Sequence, residues 1–285
     1  MSDDDLIFAE HAWSSRGGRR FLVYDSWPIP RASFSREGVR RVLKQYGAWG
    51  AIWSYDWDCG EEGPWYWIVC DDHEYDLENF KSRNTRKLIR RGLNRTTVRR
   101  VEPKWLAENG FPCYRQALTR YTDHNVWDAD RFKKYVLGLG ERSDVEMYGA
   151  FVEEKLVAYA ILAVMGQTAV WRVGKFDPAY SSACPMYALF YTLTVDYLRE
   201  RGLEEITGGA RPLLHGTEIG QFSDRMGWRK AYCRLDMCCT WRLALLLWAA
   251  RTSRGLLKRL LSGHQFARLE AMLLAQDIAR QTSPA

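Results

Sequence analysis

Between Val145 and Phe176 apolar and polar residues alternate in three short blocks, VEMYGAFVEE, KLVAYAILAV and QTAVWRVGKF, separated by Glu-Glu-Lys and Gly-Gln turns. A two-residue period broken by turn residues predicts three consecutive strands. The phrase DPAYSSACP then opens a helix from Pro185 to Arg201, in which Met186, Leu189, Phe190, Leu193 and Tyr197 fall on one stripe and predict a core-facing side. RGLEEITGGA supplies a turn and a strand ending at Gly208-Gly209, and a second helix closes at Phe222-Ser-Asp-Arg-Met-Gly-Trp228. Strands near 146–153, 156–165, 168–176, 204–209 and 230–240 are expected to share one sheet region.

The first hundred residues carry both periods. Arg20–Asp25 reads as a strand and Ser35–Tyr46 as a helix, with Ser35 at its start and Gly47 just past its end. Trp49–Trp57 predicts a strand with Trp49, Ala51, Trp53, Tyr55 and Trp57 on one face, and Gly50, Ser54 and Asp56 on the other. Cys59–Pro64 is a turn, and Trp65–Cys70 returns as partner strand. In Leu77–Val101 the residues Leu77, Phe80, Asn84, Leu88 and Arg91 suggest a helical stripe ending at Gly92 or Asn94. Helices follow at Tyr114–Tyr121 and Asp130–Leu139. After Trp241 the apolar patches Leu243–Ala250 and Leu256–Leu261 are broken by Gly255 and Gly263, and Gln265–Arg280 reads as a last helix.

Composition narrows the class. The 285 residues, 47% hydrophobic and 14% aromatic, can bury a sizeable core and exclude a disordered chain. Seven cysteines with no C-x-x-C spacing point away from a disulfide framework or zinc knuckle and fit a reducing cytoplasm. MSDDDLIFAEH is not a secretory signal, and no run approaches the ~18 apolar residues of a membrane span. The net charge of +6 is unevenly placed: Lys81 to Arg100 holds nine Lys or Arg and no acid. Phosphate loops of the G-x-x-x-x-G-K-[ST] and G-x-G-x-x-G kinds and the G-x-S-x-G elbow are absent, which sets aside NTPase, dinucleotide and serine-hydrolase chemistry.

The order of elements from Tyr148 to Trp241 resembles the acyl-transferring half of the GNAT superfamily. The closing phrase F-S-D-R-M-G-W is similar to the F-K-x-x-F-G ending of FemAB-like aminoacyltransferases and polysaccharide-associated acyltransferases. SRNTRKLIRRGLNRTTVRRV resembles the n-T-R-r-n-I-r-k stretch joining the halves of FemAB-like proteins. The resemblance implies an α+β fold: a GNAT-like mixed, mainly antiparallel sheet flanked by helices, with a related or incomplete N-terminal half. It divides the chain into 1–101, an N-terminal half with a basic linker helix; 102–243, the acyltransferase domain; and 244–285, basic amphipathic helices.

Such proteins polarise a donor carbonyl with backbone N–H groups of a splayed strand and receive donor phosphates at a helix N-terminus. The matching positions here are the strand Thr168–Phe176 and the helix opening at Tyr180–Tyr187, which give Arg172, Ser181, Ser182, Met186, Tyr187 and Arg225 as donor-binding candidates. YSSACPMY stands where the superfamily has [QR]-x-x-G-x-[GA], and Ser223 where the closing phrase has lysine. Candidate acid or base groups are His215 and Glu218, in PLLHGTEIGQF, and His124 beside Asp123. Arg83, Arg86, Lys87 and Arg90 are the candidate phosphate or nucleic-acid contacts. The implied donor is acyl-CoA, with aminoacyl-tRNA as the alternative and no metal; the acceptor is a small-molecule or lipid-linked amine or hydroxyl, such as a cell-envelope precursor, met in the cytoplasm or at the inner face of the membrane.

Two other classes stand beside this reading. A nucleic-acid-binding module, for tRNA among others, uses the segment 81–100 alone. A peripheral membrane protein uses the C-terminal helices, where Trp241 to Arg268 carries six Arg or Lys and no Asp or Glu.

Overall fold

The structure, a computed structural model, describes residues 12–16, 20–120, 126–213 and 219–282. In chain order its elements are β1 (Trp13–Arg16), β2 (Phe21–Tyr24), α1 (Arg36–Tyr46), β3 (Gly50–Tyr55), β4 (Tyr66–Cys70), α2 (Arg83–Arg95), β5 (Thr97–Arg100), α3 (Pro103–Asn109), α4 (Phe111–Ala117), α5 (Ala129–Gly140) and β6 (Val145–Val152). They continue with β7 (Lys155–Met165), β8 (Thr168–Phe176), α6 (Pro185–Val195), β9 (Glu205–Ala210), α7 (Ile219–Arg225), β10 (Arg229–Tyr232), β11 (Arg234–Cys239), α8 (Trp241–Thr252), α9 (Arg254–Leu260) and α10 (Gly263–Thr282). The class is the expected α+β, with mainly antiparallel ladders flanked by helices. The chain forms two compact units, one of residues 1–67, 210–217 and 230–285, the other of 68–209 and 218–229.

The first unit is built on the sheet β1-β2-β3-β11, in which β3 runs parallel to β2 and antiparallel to β11. Helix α1 forms where its local chemistry dictates. The Ser35 hydroxyl accepts from the Gly38 N–H at 3.1 Å, and Gly47 ends the helix at φ 61°, a conformation glycine adopts without strain. Val39, Val42 and Leu43 of α1 pack on Trp13, Tyr24, Phe34, Ala51, Trp53 and Tyr55. The opposite face of the sheet is covered as well, with Ile52, Leu235 and Met237 meeting Leu243 and Leu247 of α8 and Leu273 and Ile278 of α10.

The tryptophan-rich strand is therefore not the one-sided element its alternation suggests: every residue of β3 is buried. Its small and polar positions have partners instead of water. Ser54 accepts from the indole N–H groups of Trp65 (2.9 Å) and Trp67 (3.0 Å), and a Cβ on Gly50 would lie 2.6 Å from Leu243. The stretch 230–240 is two strands: β10 belongs to the same sheet as β6 to β9, as expected, whereas β11 pairs with β3. At this junction Asp236 is buried, and its carboxylate accepts from Ser33 (2.5 Å), Arg36 (2.7 Å) and the Met237 N–H (2.7 Å), which satisfies a charge taken out of water.

The other sheet, most of it in the second unit, has seven strands in the order β10-β4-β9-β8-β7-β6-β5. β5 to β8 form an antiparallel meander, as the 145–176 alternation predicts. One face carries Leu106, Tyr114, Phe132 and Val136 from α3, α4 and α5 against Met147, Phe151, Tyr159 and Ile161. Helix α6 is apolar around most of its circumference, with Ala188, Leu189, Phe190, Leu193 and Thr194 buried, and it continues as a π turn over Asp196–Glu200. Helix α2 runs on through Gly92 to Arg95, beyond the end expected at Gly92 or Asn94. Gly92 is a point of contact: a Cβ there would lie 2.7 Å from the Cys184 carbonyl oxygen and 3.0 Å from the Ala188 nitrogen.

Candidate active site

The central strand β8 is bent. Its register with β7 passes from Ile161 opposite Val173 to Leu162 opposite Trp171, so Arg172 is an extra residue in a β-bulge. On its other side β8 pairs with β9 only from Thr168 to Val170, opposite Glu205 to Thr207. From Trp171 to Phe176 the ladder pairing of β8 among the described residues is with β7.

Helix α6 begins after Cys184, which takes a left-handed conformation (φ 57°, ψ 43°), and no side chain caps it. The Tyr187 and Ala188 N–H groups both donate to the Cys184 carbonyl, at 3.1 and 3.3 Å. Pro185 has no N–H, so of the first turn only Met186 keeps a donor outside these bonds. The Met186 side chain reaches the strand: a Cβ on Gly174 would be 3.5 Å from its methyl carbon and 2.8 Å from the Trp171 indole nitrogen.

An aromatic wall joins β8, α6 and α7. Trp171 lies 4.4 Å from Phe190 between ring centroids, and Phe190 lies 4.8 Å from Phe222 and 5.0 Å from Trp228. Tyr187 meets Phe222 edge to face at 5.0 Å. Phe222 and Trp228 of the closing phrase thus anchor α7 on α6. Ser223 is 1% exposed, and its hydroxyl has no hydrogen-bond partner among the described residues. A lysine's reach to an external phosphate has no counterpart at this position.

Of the predicted donor residues, the structure brings Met186 and Tyr187 to this wall. Arg172 reaches the Met165 sulfur at 3.6 Å; the Asp144 carboxyl is held below the usual range chiefly by its hydrogen bond from Arg142, with the Arg172 charge adding a little. The Ser181 hydroxyl donates to the Pro178 carbonyl at 2.5 Å within the turn, and Ser182 is exposed beside it. Arg225 folds back on its own helix, its Nε donating to the Gln221 carbonyl at 3.1 Å. His124, His215 and Glu218 lie outside the described residues.

The basic helix α2 buries Thr85, Ile89 and Gly92 and turns its cations outward. Arg90 pairs with Glu78 at 2.5 Å, and the Arg86 guanidinium donates to the Phe80 carbonyl. Arg83 and Lys87 are exposed and form no ion pair with a described residue.

Sequence reasoning missed two polar features of this unit. Burial lowers the pKa of Lys175, which sits on β8 opposite Tyr159. At the far end of α6, about 16 Å from its N-terminus by helix rise, Glu146 accepts from Tyr197 (2.6 Å), Arg201 (2.7 Å) and Tyr148 (2.9 Å). Burial raises the Glu146 pKa, but these hydrogen bonds outweigh it and hold the group below its ordinary value. Tyr148 is pushed up to about 12, chiefly by burial.

A search of curated protein sequences gave no match. Among solved structures the chain is similar to the C-terminal DUF2156 domain of a putative lysylphosphatidylglycerol synthetase from Agrobacterium fabrum, at 15% identity and TM-score 0.52 over 85% of this chain and 83% of that one. It is similar to FemX at 12% identity and TM-score 0.52, over 77% of this chain and 81% of that one. L-PGS from Bacillus licheniformis gives 13% identity and TM-score 0.50 over 92% and 85%. At these identities the likeness is one of fold. Residues 80–211 match the acetyltransferase (GNAT) domain profile, and the strand β8, its bulge and the helix described above all fall within that segment. Residues 80–211 are therefore the part of the chain that matches a GNAT acetyltransferase domain.

Proposed function

We propose that this protein transfers an acyl or aminoacyl group from a phosphate-bearing donor to an amine or hydroxyl acceptor at the edge of β8 toward β9. The observation that carries the reading is the loss of β8–β9 pairing after Val170 beside the bulge at Arg172. A carbonyl laid against that edge meets main-chain N–H donors already fixed in place, which stabilise the oxyanion of a tetrahedral intermediate without reorganisation. The acceptor's lone pair forms the new N–C or O–C bond. The C–S bond of a thioester or the C–O bond of an ester breaks, and the acceptor proton passes to a base. His124, His215 and Glu218 are the base candidates of this reading.

Within it, charged tRNA fits the donor position better than CoA. The α6 N-terminus offers little to a pyrophosphate, because Pro185 lacks an N–H and Tyr187 and Ala188 give theirs to Cys184. The exposed Arg83 and Lys87 on α2 suit a polyanion. The lysylphosphatidylglycerol synthetase among the similar folds carries in its name a lysyl group and a lipid acceptor, and a lipid-linked or small-molecule acceptor is part of this proposal.

The test is to incubate the full chain with acetyl-CoA, longer acyl-CoAs and aminoacyl-tRNA, and to follow donor binding and acyl release. Consumption of aminoacyl-tRNA supports the tRNA reading, and consumption of a thioester returns the donor to CoA. Failure to bind or consume any of the three overturns the proposal.

A further inference from the structure

Among the described residues eleven large apolar side chains are exposed, and six of them crowd into α8 and α9: Trp241, Leu245, Leu246, Trp248, Leu256 and Leu260. Such density in twenty residues separates this face from the scattered apolar side chains of an ordinary surface. Helix α8 is two-sided. Leu243, Leu247 and Ala250 enter the core, whereas Trp241, Leu245 and Trp248, at i, i+4 and i+7, form an outward stripe. Helix α9 buries no residue, and Leu256 and Leu260 stand one turn apart on it.

The charges around this face are of one sign. No acidic residue occurs from Trp241 to Arg268. The nearby acids of α10 are already engaged, Glu270 with Arg254 and Asp277 with Arg251 at 2.7 Å. These pairs hold α8 and α9 to α10. Lys258 and Arg259 form no ion pair with a described residue, and the Arg242 guanidinium lies 5.5 Å from the Trp241 ring centre.

We infer that α8 and α9 form an interfacial surface for an anionic lipid bilayer, the Trp and Leu side chains entering the headgroup boundary and Arg242, Lys258 and Arg259 meeting lipid phosphates. No helix of the described residues is long and apolar enough to cross a membrane, so the contact is one of lying on the surface. A second copy of the chain fits less well: a two-fold contact through this face would bring the same cations together with no acid between them. The inference stands on these helices alone and does not depend on the transfer reaction.

The test is co-sedimentation of the full chain with vesicles of phosphatidylcholine, with and without phosphatidylglycerol, at low and physiological salt. The parent protein is expected to partition at least about tenfold more strongly onto the anionic vesicles. Trp241→Ser with Trp248→Ser, and separately Lys258→Glu with Arg259→Glu, should each lower that partitioning at least about tenfold. All four positions are solvent-facing, so both variants should melt with the parent. No binding to anionic vesicles at low salt overturns the inference, as do variants that partition within about twofold of the parent. A dimer by light scattering that dissociates in the tryptophan variant, without vesicle binding by the parent, assigns the face to a second copy and likewise overturns it.

Discussion

Replacing Gly92 with alanine tests the contact between the basic helix and the start of α6. The new methyl carbon would sit 2.7 Å from the Cys184 carbonyl oxygen and 3.0 Å from the Ala188 nitrogen. Both are main-chain atoms, so no side-chain rotation relieves the overlap and α2 must move away from α6. Overpacking of this kind costs up to about 3 kcal/mol, and alanine's better helix propensity returns about 1 kcal/mol. The expected net loss is about 2 kcal/mol, or a fall in melting temperature of about 4–8 °C for a chain of this size. Gly138 is the control. It lies within α5 in the same unit, and a Cβ there meets nothing within 4 Å. Gly138→Ala should therefore raise stability by up to about 1 kcal/mol. The assay is calorimetric or urea melting of the two variants and the parent. If Gly92→Ala melts with or above the parent, or shifts in the same direction as Gly138→Ala, the close approach of α2 and α6 is refuted.

Glu146→Gln removes the charge that Tyr148, Tyr197 and Arg201 serve and should destabilise by about 1.5–3 kcal/mol at neutral pH. The folded pKa of Glu146 lies below its ordinary value, so its contribution is full above about pH 4.3, the unfolded value, and fades as pH falls through the folded one. Acid melts of the variant should lack that component, and parallel curves for variant and parent would contradict it. Ser35→Ala deletes the cap that accepts from the Gly38 N–H and should lower the urea midpoint by the equivalent of about 1 kcal/mol; an unchanged midpoint argues against the cap. Arg83→Gln with Lys87→Gln should reduce the salt slope of tRNA binding by about 1.4–1.8 in gel-shift titrations. An unchanged slope excludes both side chains from phosphate contact.

What the sequence disclosed was local. Ser35 and Gly47 mark α1 because capping bonds are made within a few residues of the chain. The alternation of 145–176 marks β6 to β8 because the pleat is local too. Gly92 misled, since glycine usually ends a helix, whereas here it admits the backbone of another one. The placement of β11 beside β3 was invisible, because a strand's own residues do not name its neighbour when both faces are buried. At the site, the alternation located β8 but not its bulge, because an extra residue is recognised only against the register of the partner strand. Ser181 and Arg225 were legible as polar groups near the helices, yet both spend hydrogen bonds on adjacent main chain, a competition that residue type does not reveal.

The pairing of β3 with β11 bears on how the chain folds as it is synthesised. Tyr55 lies opposite Arg234, and residues 68–209, most of the second unit, are made between them. While those residues emerge, β3 has β2 on one side and an unpaired ladder on the other, in a strand whose residues all end up buried. The first unit's sheet closes only when residues 234–239 have left the ribosome, so it finishes after the unit encoded in its middle. An apolar strand edge exposed for that interval is a site for chaperone engagement or misassociation, and fragments cut between the units will carry it permanently.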